Sequence, residues 1–516
     1  MSSQPGPTPG GRLTHWNPED PDAWASSYRK VAWRNLAISV PSLLCAFSVW
    51  TYWSVITVQM KALGFPLTQP QYYTLLSVAG LTGAMLRIPH SFLLSLTGGR
   101  NIVAISTALL MIPAVGAGVA LRDPTTPYWL FVVLAALSGL GGGAFASSMA
   151  NISAFFPKKD QGLALGLNAG IGNLGVSVMQ VLLPLAMSVS LFGVMGGAPG
   201  TTAAGKQLWL QNGGLIWVPA LIALSVAAAL KMDNLPQQNA PSLPVALGRV
   251  LWLSGLAFAA TGLGLYLLIG LKLSMWLVLP LTVALTVAVT RYMAPAAVRD
   301  KLGQQFEIFR NKHNWAMTWL YTMTFGSFIG YSVAFPKMIQ DLFVILPDNS
   351  VNANGPNPLH YAWLGALVGS LLRPVGGWLS DKFGGARVTH WSTIVTIGAT
   401  LGVAWYAKLA QSSMTPQEHF APFLILFLVL FTSTGIGNGS TFRMIPIIFP
   451  ASQAGAVLGW TSAVGACGAF IIPKVFGEQI AKGTPEWALY GFAVYYLSCL
   501  AVNWFYYFRK NAEIPC

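Results

Sequence analysis

Long apolar stretches alternate with short polar ones from about residue 34 to residue 508. Each stretch runs for about twenty residues or more, the length a helix needs to cross a bilayer. Fourteen such spans are predicted, at roughly 34–58, 71–97, 102–121, 128–156, 163–190, 213–231, 250–270, 275–293, 315–338, 359–380, 389–408, 421–449, 456–479 and 488–508. Only helices or closed barrels satisfy their backbone groups inside lipid, and continuous apolar runs of this length are helical. The expected fold class is an all-α polytopic membrane protein.

The pattern repeats. A shift of 293 residues lays Phe156-Pro157 on Phe449-Pro450, and Gly162, Gly166, Gly172 and Gly175 on Gly455, Gly459, Gly465 and Gly468, while Gly170 meets Ala463. A shift of 286 lays Arg87 on Arg373 and Gly98-Gly99 on Gly384-Gly385. Unrelated features recurring in one order point to two homologous halves of six spans. The pair at about 250–293 has no counterpart. The chain therefore divides into a tail (1–33), a first half (34–231), an inserted helix pair with linkers (232–314), a second half (315–508) and a short tail (509–516).

Gly162, Gly166 and Gly170 recur every fourth residue, so they share one helix face. With Gly172 and Gly175, and with the counterparts Gly455, Gly459, Gly465 and Gly468, they predict helices built for close approach. Asn168 and Asn173 lie within that helix. A polar amide there is expensive unless it is paired, as in a helix-to-helix hydrogen bond for Asn168, or used. The turns Gly98-Gly99-Arg100 and Asp381-Lys382-Phe383-Gly384-Gly385-Ala386-Arg387 join paired spans. The charges of Asp381, Lys382 and Arg387 are expected to latch neighbouring helix ends in one conformation.

Charge sharpens this picture. The chain is 54% hydrophobic and 9% charged, against about 25% charged for a soluble protein, and carries a formal net charge of +14. Its basic residues concentrate in alternate connections, the positive-inside bias, which places both termini in the cytoplasm. The net charge is thereby accounted for without nucleic acid. Four basic residues are left at membrane depth, namely Arg87, Arg373, Arg443 and Lys474, with no mid-span carboxylate to neutralise them. Each buried arginine costs about 3 kcal/mol even on lenient scales. The counter-ion expected is an anionic cargo, and a guanidinium fork suits a planar oxyanion. Pro89 and Pro374 follow the paired arginines and free backbone carbonyls nearby. His90 lies three residues past Arg87, and Arg443 is a candidate gate. The four cysteines form no metal spacing. There is no nucleophile–base pair and no nucleotide loop, so neither a cofactor, a metal nor enzymatic chemistry is expected.

These motifs resemble the major facilitator superfamily, in the Asp381–Arg387 turn, and within it the nitrate/nitrite porter (NarK) family. Phe145-Ala-Ser-Ser-Met-Ala-Asn151 and Gly166-Leu-Asn-Ala-Gly-Ile-Gly-Asn173-Leu-Gly-Val-Ser-Val-Met-Gln180 are similar to that family's nitrate signature. Gly437-Asn-Gly-Ser-Thr-Phe442 and the Gly455–Gly468 stretch are similar to its second copy. The resemblance implies a major facilitator fold with an added helix pair. It implies nitrate and nitrite as cargo, and alternating access in a bacterial inner membrane. Arg87 and Arg373 would hold the anion, with Asn173 and Tyr321 as hydrogen-bond partners. Phe145 and Phe442 would sandwich its plane, and Phe47 and Phe325 would line the pocket. Exchange is the expected mode, with proton-coupled nitrate uptake, through His90 or an anion-linked proton, as the alternative and a nitrate-sensing transceptor as a third reading. A single chain is expected to suffice as the functional unit.

Overall fold

The computed structural model describes residues 11–202, 205–238, 240–294, 299 and 306–516. The start of the N-terminal tail and most of the linker before residue 306, Lys301 included, lie outside the described residues. Among those described, eleven helical runs are long and apolar enough to cross a membrane. In chain order with three further helices they are α1 (Pro21–Ala62), α2 (Gln69–Thr97), α3 (Gly99–Ala120), α4 (Tyr128–Phe155), α5 (Lys158–Met187), α6 (Asn212–Lys231), α7 (Leu243–Gly270) and α8 (Met275–Met293). Then follow α9, a continuous run of Lys312–Tyr321, Thr322–Gly326, Ser327–Ile339 and Gln340–Val344, and α10 (Pro358–Phe383). The last four are α11 (Gly385–Gln411), α12 (Pro416–Ile448), α13 (Gln453–Ala481) and α14 (Pro485–Phe508). The three less apolar helices are α2, α9 and α10. Two of them carry Arg87 and Arg373, and the third carries Lys337 and Asp341.

Helices α1–α6 and α9–α14 form two bundles, on either side of α7–α8 along the chain. Between the bundles, α2 packs against α13 and α5 against α10. The inserted pair α7–α8 packs on α2 of the first bundle, and Arg249 of α7 donates to the Leu96 carbonyl near the end of α2 at 2.5 Å. Cationic donors at a helix C-terminus satisfy carbonyls that the helix itself leaves open.

Close packing is carried by glycine where large side chains cross. Trp50 of α1 is buried and donates its indole N–H to the Ala79 carbonyl at 2.7 Å. A side chain at Gly83 or Gly142 would overlap that indole. In the second bundle Phe335 stacks on Phe427 with centroids 4.4 Å apart, within a cluster that includes Phe423 and Phe431. A two-stranded antiparallel hairpin (β1, Gly200–Thr201; β2, Gln207–Leu208) lies between α5 and α6.

The face bearing the termini is tied together by polar contacts. The tail pairs with the α6–α7 linker through Leu13 and Asn234, and Glu19 accepts from the Lys158 amide at 2.8 Å. Asp233, fully buried, accepts from Arg34 at 2.6 Å and from Asn35 at 3.0 Å, while its own amide donates to Asn35 at 2.9 Å. Removing one partner of a fully buried pair costs about 3–5 kcal/mol; Arg34 is 27% exposed, so its loss of Asp233 costs less, but Asn35 loses its acceptor as well. Asp233→Ala is therefore expected to lower the melting temperature of the detergent-purified protein strongly. A change within about 2 °C would mean that Arg34 finds water instead. At the other end of the chain the Cys516 carbonyl accepts from the Ala386 amide at 2.9 Å, at the start of α11.

Two expectations about charge and packing are corrected here. Arg443 does not sit unneutralised at membrane depth. Its side chain is 52% exposed and its Nε donates to Asp381 at 2.5 Å. Lys474 pairs with Glu478 one turn on, at 3.2 Å. Asp381 was hidden because it lies 62 residues from Arg443, whereas Glu478, one turn from Lys474, was legible but fell at a predicted span end. The glycine faces are also only partly packed. A Cβ at Gly172 or Gly175 would strike Leu43 or the Leu44 carbonyl of α1, and one at Gly465 or Gly468 would strike Tyr321 or the Gly326 carbonyl of α9. At Gly162, Gly166, Gly170 and Gly455 it would meet nothing, and at Gly459 only Ser91.

Candidate functional site

Arg87 lies two-thirds of the way along α2, fully buried. Its guanidinium is held on both sides of the seam between bundles. Nε donates to the Gly142 carbonyl of α4 at 3.0 Å, and Nη1 donates to the Ser462 carbonyl of α13 at 3.0 Å. The guanidinium carbon lies 4.6 Å from the Phe145 ring centre, 4.9 Å from Phe325 and 5.4 Å from Trp50. Aromatic faces favour a cation electrostatically but leave its N–H groups unsatisfied. Nη2 is buried with no hydrogen-bond partner.

Arg373 is its counterpart on α10. It is 8% exposed, its Nη2 donates to the Tyr321 hydroxyl at 3.4 Å, and its guanidinium carbon is 5.3 Å from the Phe442 ring centre. Its Nη1 is likewise buried without a partner. Arg373 lies close enough to Arg87 to repel its charge. Two like charges from opposite bundles thus face one small region, each with a free buried donor. Buried donors without acceptors are costly, about 1–3 kcal/mol apiece and more when charged.

The remaining residues expected at the site fall around these two. Phe145 and Phe325 lie 6.4 Å apart with planes 21° from parallel, and Phe47 meets Phe145 edge-on at 5.9 Å. The rings of Phe145 and Phe442 belong one to each arginine. Asn173 on α5 is buried and its Oδ1 has no partner. Asn168 makes the structural bonds expected of it, donating to Ser148 at 2.9 Å and accepting from Ser39 at 3.1 Å. His90 is buried in the first bundle, with Nδ1 3.2 Å from the Ser147 hydroxyl and Nε2 without a partner. Lys382 lies over the Trp378 ring at 4.2 Å and Arg387 is exposed, both on the face with Asp381.

The sequence reading missed a second charged cluster. Lys337 and Asp341, one turn apart on α9, form a buried ion pair, and Lys61 of α1 reaches Asp341 at 3.4 Å. Lysine and aspartate four residues apart on one helix are a legible signal. It went unread because the positions fall at a predicted span end.

The Major Facilitator Superfamily profile matches residues 39–473. The chain is 37% identical to a probable nitrate/nitrite antiporter, NarK2, of Thermus thermophilus, over 98% of both chains. It is 34% identical to the nitrate/nitrite transporter NarU of Escherichia coli K12, over 97% of this chain and 96% of that one. The chain is a NarK-type member of the major facilitator superfamily. The solved structure of the xylose transporter XylE from E. coli shares the fold at 13% identity, with a TM-score of 0.55 over 92% of this chain and 99% of that one. A bacterial homologue of the lysosomal transporter Spinster does so with a TM-score of 0.56, over 93% and 96%. In this NarK-type chain the two halves of the superfamily fold each contribute one arginine, and the added pair α7–α8 stands beside the first half.

Proposed function

We propose that this NarK-type chain exchanges nitrate and nitrite across the cytoplasmic membrane by alternating access. The observation that carries the reading is the pair of buried arginines, Arg87 and Arg373, one from each half and each with an unpartnered N–H. A planar monovalent oxyanion would accept from both donors and neutralise one of two mutually repelling charges. Asn173 and the Tyr321 hydroxyl would supply further contacts, and the phenyl rings of Phe145, Phe325, Phe47 and Phe442 would exclude water. The names carried by the relatives in Thermus and Escherichia supply the cargo. Termini in the cytoplasm follow from the positive-inside bias, and the halves are assigned to 34–231 and 315–508.

Exchange rests on electrostatics. Without an anion the halves would have to rearrange around two like charges in low dielectric, where their repulsion is strong. With the anion bound that penalty is reduced, so the return step needs a second anion. The test is counterflow in proteoliposomes with a pH-sensitive dye on each side. External nitrate is expected to enter only when nitrate or nitrite is trapped inside, with no dye response. Net uptake into anion-free vesicles would overturn exchange, and acidification of the lumen with that uptake would establish proton coupling.

A further inference from the structure

Polar contacts join the halves at the end away from the termini. Ser177 of α5 donates to the Trp363 carbonyl of α10 at 3.0 Å, and Gln180 donates to the Ser332 carbonyl at 2.9 Å. Gln340 donates to the Val58 carbonyl at 3.2 Å, and Lys61 pairs with Asp341 at 3.4 Å. Only the last is between charges. Lys337 and Asp341 have side chains 0% and 2% exposed, so the pair is hidden within the seam, while Lys61 is 28% exposed.

The bonding is unequal between the two lysines. Lys337 shares its helix with Asp341, so that pair survives any rigid movement of the halves. Lys61 belongs to the other half, where it also donates to Gln69 at 3.1 Å. Lys337 reaches across to the same Gln69 oxygen at 3.5 Å and lies 5.5 Å from the Tyr72 ring centre and 5.7 Å from that of Tyr73. The cluster thus holds two positive charges and one negative. When the halves part at this end, Asp341 stays with Lys337 and Lys61 loses its carboxylate. Removing a counter-ion leaves a net positive charge at the mouth of the path, and such a charge raises the local concentration of anions.

We propose that Lys61, Asp341 and Lys337 form a gate on the side away from the termini, and that Lys61, once released by Asp341, receives the entering oxyanion. The closed gate is a salt bridge across the seam, and an anion at Lys61 takes the place of Asp341 and delays reclosure. The identity of the anion and the outward position of this end rest on the function proposed above.

Two measurements test it. The first needs no substrate. A cysteine replacing Val58, which lies in the seam, is labelled with a membrane-impermeant maleimide in reconstituted protein. Replacing Lys337 with Gln and Asp341 with Asn together removes the buried pair and leaves charged only Lys61, whose side chain is 28% exposed. Labelling is expected to accelerate several-fold in that variant, and an unchanged rate would overturn the gate. The second compares counterflow from the two faces. Lys61→Gln is expected to raise the nitrate KM several-fold from the side away from the termini and to leave the KM from the other side unaltered. Equal effects on both faces, or none, would overturn the receiving role. Failure of counterflow in the unaltered protein would instead remove the nitrate reading, while the labelling result would stand.

Discussion

Arg87→Lys is expected to lower nitrate kcat/KM in proteoliposomes by about 100-fold while leaving the protein folded. The substitution keeps the charge and removes the fork. Arg87 uses three separate nitrogens. Nε reaches Gly142, Nη1 reaches Ser462 in the opposite half, and Nη2 is left for cargo. A lysine ammonium has three hydrogens on one atom at the end of a single stem, so it cannot span carbonyls on α4 and α13 and still face an anion. Loss of one or two hydrogen bonds to a charged group corresponds to about 2–4 kcal/mol, and every 1.4 kcal/mol is about tenfold. Transport within threefold of the parent would show that a point charge suffices and would sink the forked-recognition reading. A melting temperature close to the parent's separates lost recognition from lost fold. Arg373→Lys is expected to cost about tenfold, because Arg373 makes one long contact, to Tyr321 at 3.4 Å, and bridges nothing else.

The arginine pair was legible in the sequence because charge inside apolar runs is conspicuous, and because position 87 repeats at position 373. What the sequence did not contain was the partner of each charge. Asp381 neutralises Arg443 from 62 residues away, and no periodicity within a helix reports a contact between helices. The same holds for Lys61 and Asp341, 280 residues apart. Counting unneutralised cations therefore gave four, and two of the four have carboxylates beside them. The architecture was the more legible part. Bilayer thickness fixes the length of an apolar run, so the spans fall close to their expected places. The less apolar α2, α9 and α10 were recognised as spans from length and the repeat, and their polarity is where the charged residues lie. Roles for individual aromatic rings were less legible, since twelve per cent of the chain is aromatic and most of those rings face lipid or pack.

The glycine helix α5 separates a structural requirement from a cyclic one. Gly166 and Asn173, like Gly170 and Ser177, are seven residues apart, two helical turns, and so share a face. Ser177 on that face bonds to Trp363 of the opposite half, and Asn173, one turn before it, is buried. The same face carried toward the termini is Gly170, Gly166 and Gly162, where an added Cβ would meet nothing. The seam is therefore closed at one end of α5 and parted at the other. In the second half, Gly459 faces Ser91 and Gly455 faces open space, the same taper. Alternating access requires the parted end to close in turn, and side chains the size of a single hydrogen allow helices to approach there. Gly166→Leu is accordingly expected to leave the melting temperature within about 2 °C and nitrate binding within about twofold, since Gly166 is exposed and a Cβ there meets nothing in the present state. Turnover is expected to fall more than about tenfold, because the closed state must accommodate an isobutyl group in the seam. Gly175→Leu is the contrast. Its Cβ runs into the Leu44 carbonyl within the first half, so overpacking of about 1–3 kcal/mol or more is present in every state, and the yield of folded protein should fall. Counterflow and equilibrium binding measured on the same preparations distinguish the two. Full turnover in Gly166→Leu would mean that this stretch of α5 never meets the opposite half. Its glycines would then serve lipid contact or helix flexibility, not the transport cycle.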